Sequence, residues 1–492
     1  MIDLHTLARS AMLGCGNTGS LPDCELFQLP KTEPESSLLA AAAAVGTAEI
    51  GGWLPLDISP QSDPCPPEKR PYLPAPAADY LKRILSGEFE TTLPEFLGLA
   101  AQRGYLAPPE ILPALLGLGK NDLRPLVLAL AGQRGVWLAK YNPSWAYALP
   151  AAREEDWETG KLEERFNLLE ALRRENPGKA LQLLQSRWGL EAGDGRALLM
   201  RVLAINLSPA DEPFLENCLD DKRKEVRDFA LNLLVRLPAS RLVERNLGRL
   251  EALIQFKSKM LFKDSLDVNL PEKLDPGAKR DGISGAVMRK SMGEKANWLA
   301  QMLSATPPAC WSQKWKRSPD KLLGLALSSE WKEPLLLGWL LAAERSGDAE
   351  WAAALAEFTL RQSEARKVLA DYDWGTMACL IPLEKLEGFA KSFITPLFNE
   401  LDDKHPLLGL LEKVERPWSA ALARPVLSSL QRQAKSYNFR LMRALPLFAL
   451  HVPVELAEEF SQGWPESTAG WDAYIQSFIA TMRFRKEMRE AL

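Results

Sequence analysis

Between Ser208 and Pro238 the chain spells two short helices back to back, and this stretch constrains the fold more than any other. Ser208-Pro-Ala-Asp211 supplies a capping residue, a proline where a helix needs no N–H, and an acid placed to answer the cap. Phe214, Leu215, Cys218 and Leu219 then share one face. Asp220 and Asp221 form a turn and favour the positive end of a second helix. In that second helix Val226, Ala230, Leu233, Leu234 and Leu237 fall on one stripe at helical period, and Pro238 stops it. Neither helix is long enough to be stable alone. Each must bury its stripe against neighbours, which predicts stacked helix pairs.

The same grammar recurs. A first helix is expected over Leu4–Leu13 and an Ala-rich one over Ser37–Val45. Others are expected at Asp79–Leu85, Leu93–Gln102, Pro108–Leu118 and from Asp122 to Leu130, with more resuming near Leu162 and Lys179. Asp122 to Leu130 echoes Glu225 to Leu233 in its order of acid, aliphatic, Arg and Leu, which supports repetition of the unit. Glu333–Arg345 and Asp348–Leu360 form another pair, with Gly347 as a helix stop and Asp348 as a cap. Helices are further expected at 382–401, 417–433, 437–449, 453–461 and 468–490.

Two stretches break this rhythm. Residues 54–76 hold eight prolines, which fix φ and remove donors, so an extended strap is expected, with Tyr72 and Leu73 to bury. Residues 256–292 are rich in turn formers, and Leu266, Val268 and Leu270 alternate as a short strand or hairpin would. The predicted fold is therefore all-α: an irregular array of helical hairpins, α-solenoid-like and, through the resemblance of the 208–237 pair to a HEAT repeat, HEAT-like, with a Pro-rich N-terminal strap and a mid-chain irregular insertion. The expected divisions are 1–76, 77–255, 256–292 and 293–492. At 492 residues the chain exceeds what one compact core supports, about 250–300 residues.

Composition excludes several classes. A net charge of −4 gives little general attraction to nucleic acid or anionic lipid. No run reaches the ~18 apolar residues of a membrane span. Asp3 stands where a signal peptide is basic. Six scattered cysteines without a CxxC pair read as thiols in a reducing compartment, so a cytoplasmic location is expected.

Catalytic motifs each fail at a named residue. His5, His405 and His451 lie far apart, outside any metal-binding frame. Asp57-Ile-Ser59-Pro-Gln61 resembles the metal loop of von Willebrand A domains, but Gln61 replaces the second hydroxyl. Gly117-Leu-Gly119-Lys120 is followed by Asn121 instead of Ser or Thr, and the spacing is wrong for a phosphate loop. No catalytic residue, cofactor or metal is assigned, and a non-enzymatic protein is expected.

Binding residues are sought instead among irregular basic and aromatic segments. Seven of the fifteen tryptophans fall between Trp298 and Trp374, and most are expected to fill gaps between helix layers with each indole N–H bonded at a loop. Trp311 and Trp315 are the ones expected to be exposed, beside Lys314, Lys316 and Arg317. The connector gathers Lys257, Lys259, Lys263, Lys279, Arg280, Arg289 and Lys290 among Asp264, Asp267, Asp275 and Asp281. Lys279, Arg280, Asp281, Trp311, Trp315 and Arg317 are thus the candidate partner-binding set, with Asp221, Val226, Arg227 and Ala230 as repeat-forming residues. Basic residues at 257–290 and 314–317 leave a nucleic-acid-binding helical-repeat protein as the alternative. A hydrolase or transferase assembled from distant carboxylates is the third reading.

The helix after Asp221, Val226-Arg227-x-x-Ala230-x-x-Leu233-Leu234, resembles the second helix of a HEAT repeat. In such repeats the turn Asp and helix Arg commonly bond between units. A wider resemblance rests on the order Leu7-Ala-Arg-Ser-Ala-Met-Leu-Gly14, Leu112-Pro-Ala-Leu-Leu116, Gly135-Val-Trp137-Leu-Ala139 and Asn142-Pro-Ser-Trp145, then Val226-Arg227, Arg280-Asp281-Gly282-Ile283 and Trp298-Leu299. Taken together these resemble a bacterial family classed as a domain of unknown function. Its genes often lie beside MoxR-type AAA+ ATPases, von Willebrand A-domain proteins and SWIM zinc-finger proteins. Cys15-Gly16-Asn17 departs from that family, where Thr and a basic residue often follow the Gly. The resemblance implies a scaffold or adaptor with a MoxR-type ATPase and a von Willebrand A-domain protein as partners, in a chaperone-like system.

Overall fold

A computed structural model describes residues 4–15, 33–51, 64–118, 122–149, 157–258, 264–284, 288–400, 406–465 and 470–492; of 49–51, 395–400 and 406 it describes the backbone. The chain divides into two compact units, Met1–Cys65 and Pro66–Leu492. Among the described residues the only sheet is one two-stranded hairpin, so the fold is all-α.

In the first unit α1 (Leu4–Leu13) packs on α2 (Pro34–Gly51) through Leu7, Ala41 and Val45. α2 runs beyond the expected Ser37–Val45 at both ends, over residues 34–36 and 46–51. Residues 57–61, with the metal-loop resemblance, lie outside the described residues.

The second unit opens on the strap. Leu73 N–H donates to the Leu106 carbonyl and Leu106 N–H to that of Pro71, both at 2.8 Å, so prolines on either side flank one short stretch of pairing. Leu73 is buried as expected, whereas Tyr72 remains exposed. Four helices follow: α3 (Ala75–Leu85), α4 (Leu93–Gln102), α5 (Leu112–Leu116) and α6 (Arg124–Ala139). The helix expected from Pro108 shortens to α5, with turns before it. Gly132 breaks α6 at φ 62°, and the strap explains why this is tolerated. Glu68 accepts the Arg134 N–H at 2.8 Å, capping the second half of the helix. A Cβ at Gly132 would sit 2.5 Å from that carboxylate.

Next come α7 (Leu162–Glu175), α8 (Pro177–Arg187) and α9 (Gly193–Met200). The expected hairpin follows as α10 (Glu212–Cys218) and α11 (Lys224–Val235), then α12 (Arg241–Leu253). The Ser208/Asp211 capping box is present, with Ser208 N–H donating to Asp211 at 2.9 Å. Phe214, Leu215, Cys218 and Leu219, and the whole stripe from Val226 to Leu237, are buried. The echo at 122–130 begins a helix as predicted, but its arginine differs in role. Arg124 pairs with Glu163, while Arg227 donates to the turn carbonyls of Asp221 and Lys222.

The irregular segment holds the expected hairpin. Strands β1 (Ile254–Lys257) and β2 (Ser265–Val268) pair antiparallel with Ile254 opposite Val268. Beyond it the backbone is irregular but not loose: Ala278 and Ile283 are buried. The helices α13 (Glu294–Ser304), α14 (Ala309–Trp315), α15 (Pro319–Leu327), α16 (Lys332–Ser346) and α17 (Ala349–Arg361) follow. Gly347 stops α16 at φ 70°, and Asp348 caps α17 by accepting the Trp351 N–H at 3.0 Å, as the sequence predicts. The unit ends with α18 (Ser363–Val368), α19 (Gly375–Leu380), α20 (Leu383–Glu400), α21 (Pro406–Glu412), α22 (Ala420–Gln433), α23 (Phe439–Phe448) and α24 (Asp472–Ala491). Residues 453–461 form two short 3₁₀ turns in place of the expected helix.

Among the described residues three large hydrophobic cores lie along this unit, beside a small cluster of Met292, Ala300 and Leu337. The first gathers Leu73 to Ala148, the second Trp157 to Leu242 with Ala305, and the third runs from Leu250 to Met482. The expected 77–255 region therefore spans two cores, and the 256–292 segment contributes Leu266, Ala278 and Ile283 to the third. Phe484 and Met488 of α24, with Leu492 just after it, complete the first core, so the last helix of the unit packs on its first.

Candidate interaction surfaces

Arginine–carboxylate pairs stitch successive helices from α7 to the connector. Arg173 of α7 is fully buried and grips Asp211 at 2.9 and 3.0 Å, while also donating to the carbonyls of Pro177, Leu203, Ile205 and Asn206. Arg196 of α9 binds the turn residue Asp221 at 2.8 Å, a bond between neighbouring pairs. Arg165 and Glu191 form a further bidentate pair. Arg245 and Arg249 of α12 both reach Asp281 at 2.7 Å, and Arg245 also binds Glu216. Arg280 closes the group on Glu216 and Asp220. Buried charges are tolerated only when paired and hydrogen-bonded in this way.

This arrangement corrects the expected placement of several candidate residues. Asp281 is buried beneath the α12 arginines, and Arg280 is tied to α10, so both anchor the connector. Lys279 is exposed between them. Asn297 and Gln301 of α13 hold the rest of the connector by accepting the N–H groups of Met288 and Ser284.

Trp311 is also corrected. It lies in helix α14 and is fully buried, because its ring packs on Trp315 at 4.6 Å within the third core. Trp315 is half-buried and stacks on Phe256 of β1 at 6.0 Å, and the Arg317 guanidinium lies 5.2 Å from the Phe256 ring centre. The structure thus brings Trp311, Trp315 and Arg317 together, but as a stack braced by the hairpin. Neighbouring cations have partners: Lys257 binds Asp267, Lys314 binds Glu251 and Arg317 lies 3.4 Å from Asp264. Lys259 and Lys263 lie outside the described residues.

The indole expectation holds in part. Trp351 donates to Ser312 and Trp471 to the Ser436 carbonyl. The buried indole N–H groups of Trp298, Trp311, Trp331, Trp339 and Trp418 have no partner among the described residues. Large ring areas in the core outweigh the loss of about 1–3 kcal/mol for such a group.

Of the histidines, His5 is exposed and His405 lies outside the described residues. His451 stacks on Trp418 at 6.4 Å, and burial together with nearby Arg485 pushes its pKa below the ordinary value. Among the described residues no three His, Cys, Asp or Glu side chains gather as metal ligands would. No helix among them is long and apolar enough to cross a membrane.

Two surface grooves were not anticipated from the sequence. One, about 930 Å³, lies at the seam between the first and second cores. Leu128, Leu149 and Phe166 line it together with Arg124, Arg174 and Arg201. The other, about 990 Å³, lies between the end of α21 and the outer face of α23. The buried face of α23 is Leu441, Met442, Ala444, Leu445 and Phe448. Its outer stripe at i, i+4 and i+8 is Phe439, Arg443 and Leu447, and Tyr437 precedes it. Tyr437, Phe439 and Leu447 are 70%, 52% and 48% exposed. Apolar residues on both faces of one short helix are the sequence signal for such a stripe, but which face stays uncovered is set by packing.

No curated protein and no solved structure matches the chain. A family model does, over residues 6–492, and covers nearly all of what has been described above. The chain belongs to the family of unknown function DUF5691.

Proposed function

We propose that this protein is a non-enzymatic helical scaffold that works in the cytoplasm, joining components of a MoxR-type AAA+ ATPase and von Willebrand A-domain chaperone-like system. The observation that carries this reading is the pair of surface grooves, where large apolar side chains stand exposed beside arginines. Tyr and Arg are the residue types enriched where protein partners anchor. The Arg–carboxylate pairs add support, since those of Arg165 and Arg173 hold α7, which lines the first of those grooves. The resemblance noted in the sequence supplies the proposed partners.

The test is reconstitution. The purified chain is mixed with the AAA+ ATPase and the A-domain protein encoded beside its gene, and complexes are sized by chromatography with light scattering. Co-elution with either protein at micromolar concentration is expected. Independent elution of all three, with and without nucleotide, would sink the reading.

A further inference from the structure

The groove between α21 and α23 has a chemistry that points to one class of occupant. Its apolar wall is the outward stripe Phe439 and Leu447 with Tyr437 at the helix entrance. A short helix that buries one face normally shows solvent a polar stripe on the other. Here the exposed stripe is aromatic and aliphatic, interrupted by Arg443, whose guanidinium lies 5.7 Å from the Phe439 ring centre.

The charges around it are unbalanced in availability. Arg440 and Glu412 neutralise each other at 3.1 Å. Lys413 and Arg443 are exposed, and neither makes an ion pair among the described residues. The first turn of α23 carries no acid, so its N-terminal partial positive charge adds to theirs. Against these stands the exposed carboxylate of Glu415.

We propose that this groove binds a short acidic peptide segment of a partner protein, seating one large apolar side chain against Phe439 and Leu447 while its carboxylates meet Lys413 and Arg443. The proposal rests on the scaffold reading and specifies the partner's chemistry. Desolvating Arg443 over the ring strengthens both its cation–π contact and its pairing with a carboxylate.

A display library of short random peptides, panned on the intact chain, tests it. Enriched sequences are synthesised with a fluorophore and titrated by anisotropy against the wild type, Phe439→Ser and Arg443→Glu, with far-UV circular dichroism to confirm that these surface variants fold. Peptides with Asp or Glu flanking a Trp, Phe or Leu should be enriched. Each variant should weaken binding about tenfold or more, and added salt should weaken wild-type binding. Failure to enrich any peptide, enrichment of neutral or basic ones, or binding to either variant as tight as to the wild type would overturn the proposal. The same variants are carried into the ATPase and A-domain mixture. Undiminished co-elution there removes this groove as the partner site and leaves the scaffold reading intact. Acidic peptide binding without any co-elution does the reverse.

Discussion

Arg485 and Glu95 stand 390 residues apart in the chain and share hydrogen bonds of 2.6 and 3.1 Å. Arg489 adds a third bond to the same carboxylate at 2.6 Å. Arg485 is buried and also donates to the carbonyls of Ala449 and Val452. One guanidinium therefore ties α24, α4 and the turn after α23. Arg485→Ala leaves three acceptors short of their donor, and should destabilise the unit by about 3–5 kcal/mol. Urea unfolding is the measurement, and a shift below ~0.5 kcal/mol, the usual range for surface changes, would refute the role.

Asp211 does two jobs that one carboxylate rarely combines. It answers the Ser208 cap and neutralises Arg173 in the core. Asp211→Ala should exceed the ~1 kcal/mol of a lost cap and reach the range of a broken buried pair, about 3–5 kcal/mol. Arg173→Met added to Asp211→Ala should cost less than the sum of the single changes, because the orphaned charge is gone. Additive losses in a thermal or urea double-mutant cycle would contradict the pairing.

Acid should loosen the stitched region first. The Arg241 backbone N–H holds Glu212 below the ordinary carboxylate range, the Arg280 guanidinium does so for Asp220, and the Arg249 guanidinium for Asp275. A carboxylate with a lowered folded-state pKa contributes stability that is present above its unfolded value, about 4, and is lost as pH falls through the folded value. Melting temperature should therefore decline below pH ~4. Asp275→Asn should flatten that decline, and an unchanged slope in the variant would argue against the assignment. Asp220 and Asp275 are largely exposed, so solvent screening keeps their contributions small, whereas Glu212 is partly buried.

Thiol reactivity should separate two cysteines. Burial pushes the Cys218 thiol up to about 12, whereas Cys379 is exposed. Alkylation at pH 8 followed by peptide mass spectrometry should label Cys379 quickly and leave Cys218 unlabelled until the protein is unfolded. Rapid native labelling of Cys218 would mean that the α10–α11 pair opens.

Two helix glycines should respond oppositely to alanine. A Cβ at Gly338 would lie 2.6 Å from that of Leu303, where α16 crosses α13 closely. Gly324 in α15 has open space at that position. Gly338→Ala should destabilise by roughly 1–3 kcal/mol through overpacking, less its helix-propensity gain. Gly324→Ala should stabilise by up to about 1 kcal/mol. Equal shifts in melting temperature would show that the crossing can relax.

Helix pairs were legible because their signals are local. The Ser208 box, the Val226 to Leu237 stripe and the Gly347-Asp348 junction each need only a few consecutive residues to be read, and each is found as expected. Even the hairpin in the irregular segment showed itself by alternation at Leu266 and Val268. Trp311 misled because its sequence neighbours are basic, while its spatial neighbours, Trp315 and the third core, come from packing. Asp281 is expected at a binding surface for the same reason, and nothing local marks Arg173 or Arg485 as buried. A charged side chain announces its type but not its partner, and these partners lie tens to hundreds of residues away.

By itself the sequence determined that this protein is a succession of short α-helices, where many of them begin and end, and which face of the clearest ones is apolar, since capping and 3.6-residue periodicity act within a turn or two of the chain. The tertiary structure alone decided which helices share a core, that α24 returns to α3 and α4, that the connector is stitched down by α12 and α13, and that the outer face of α23 is left uncovered. Those outcomes depend on burial and on charge pairs between distant segments, and neither has a local signature.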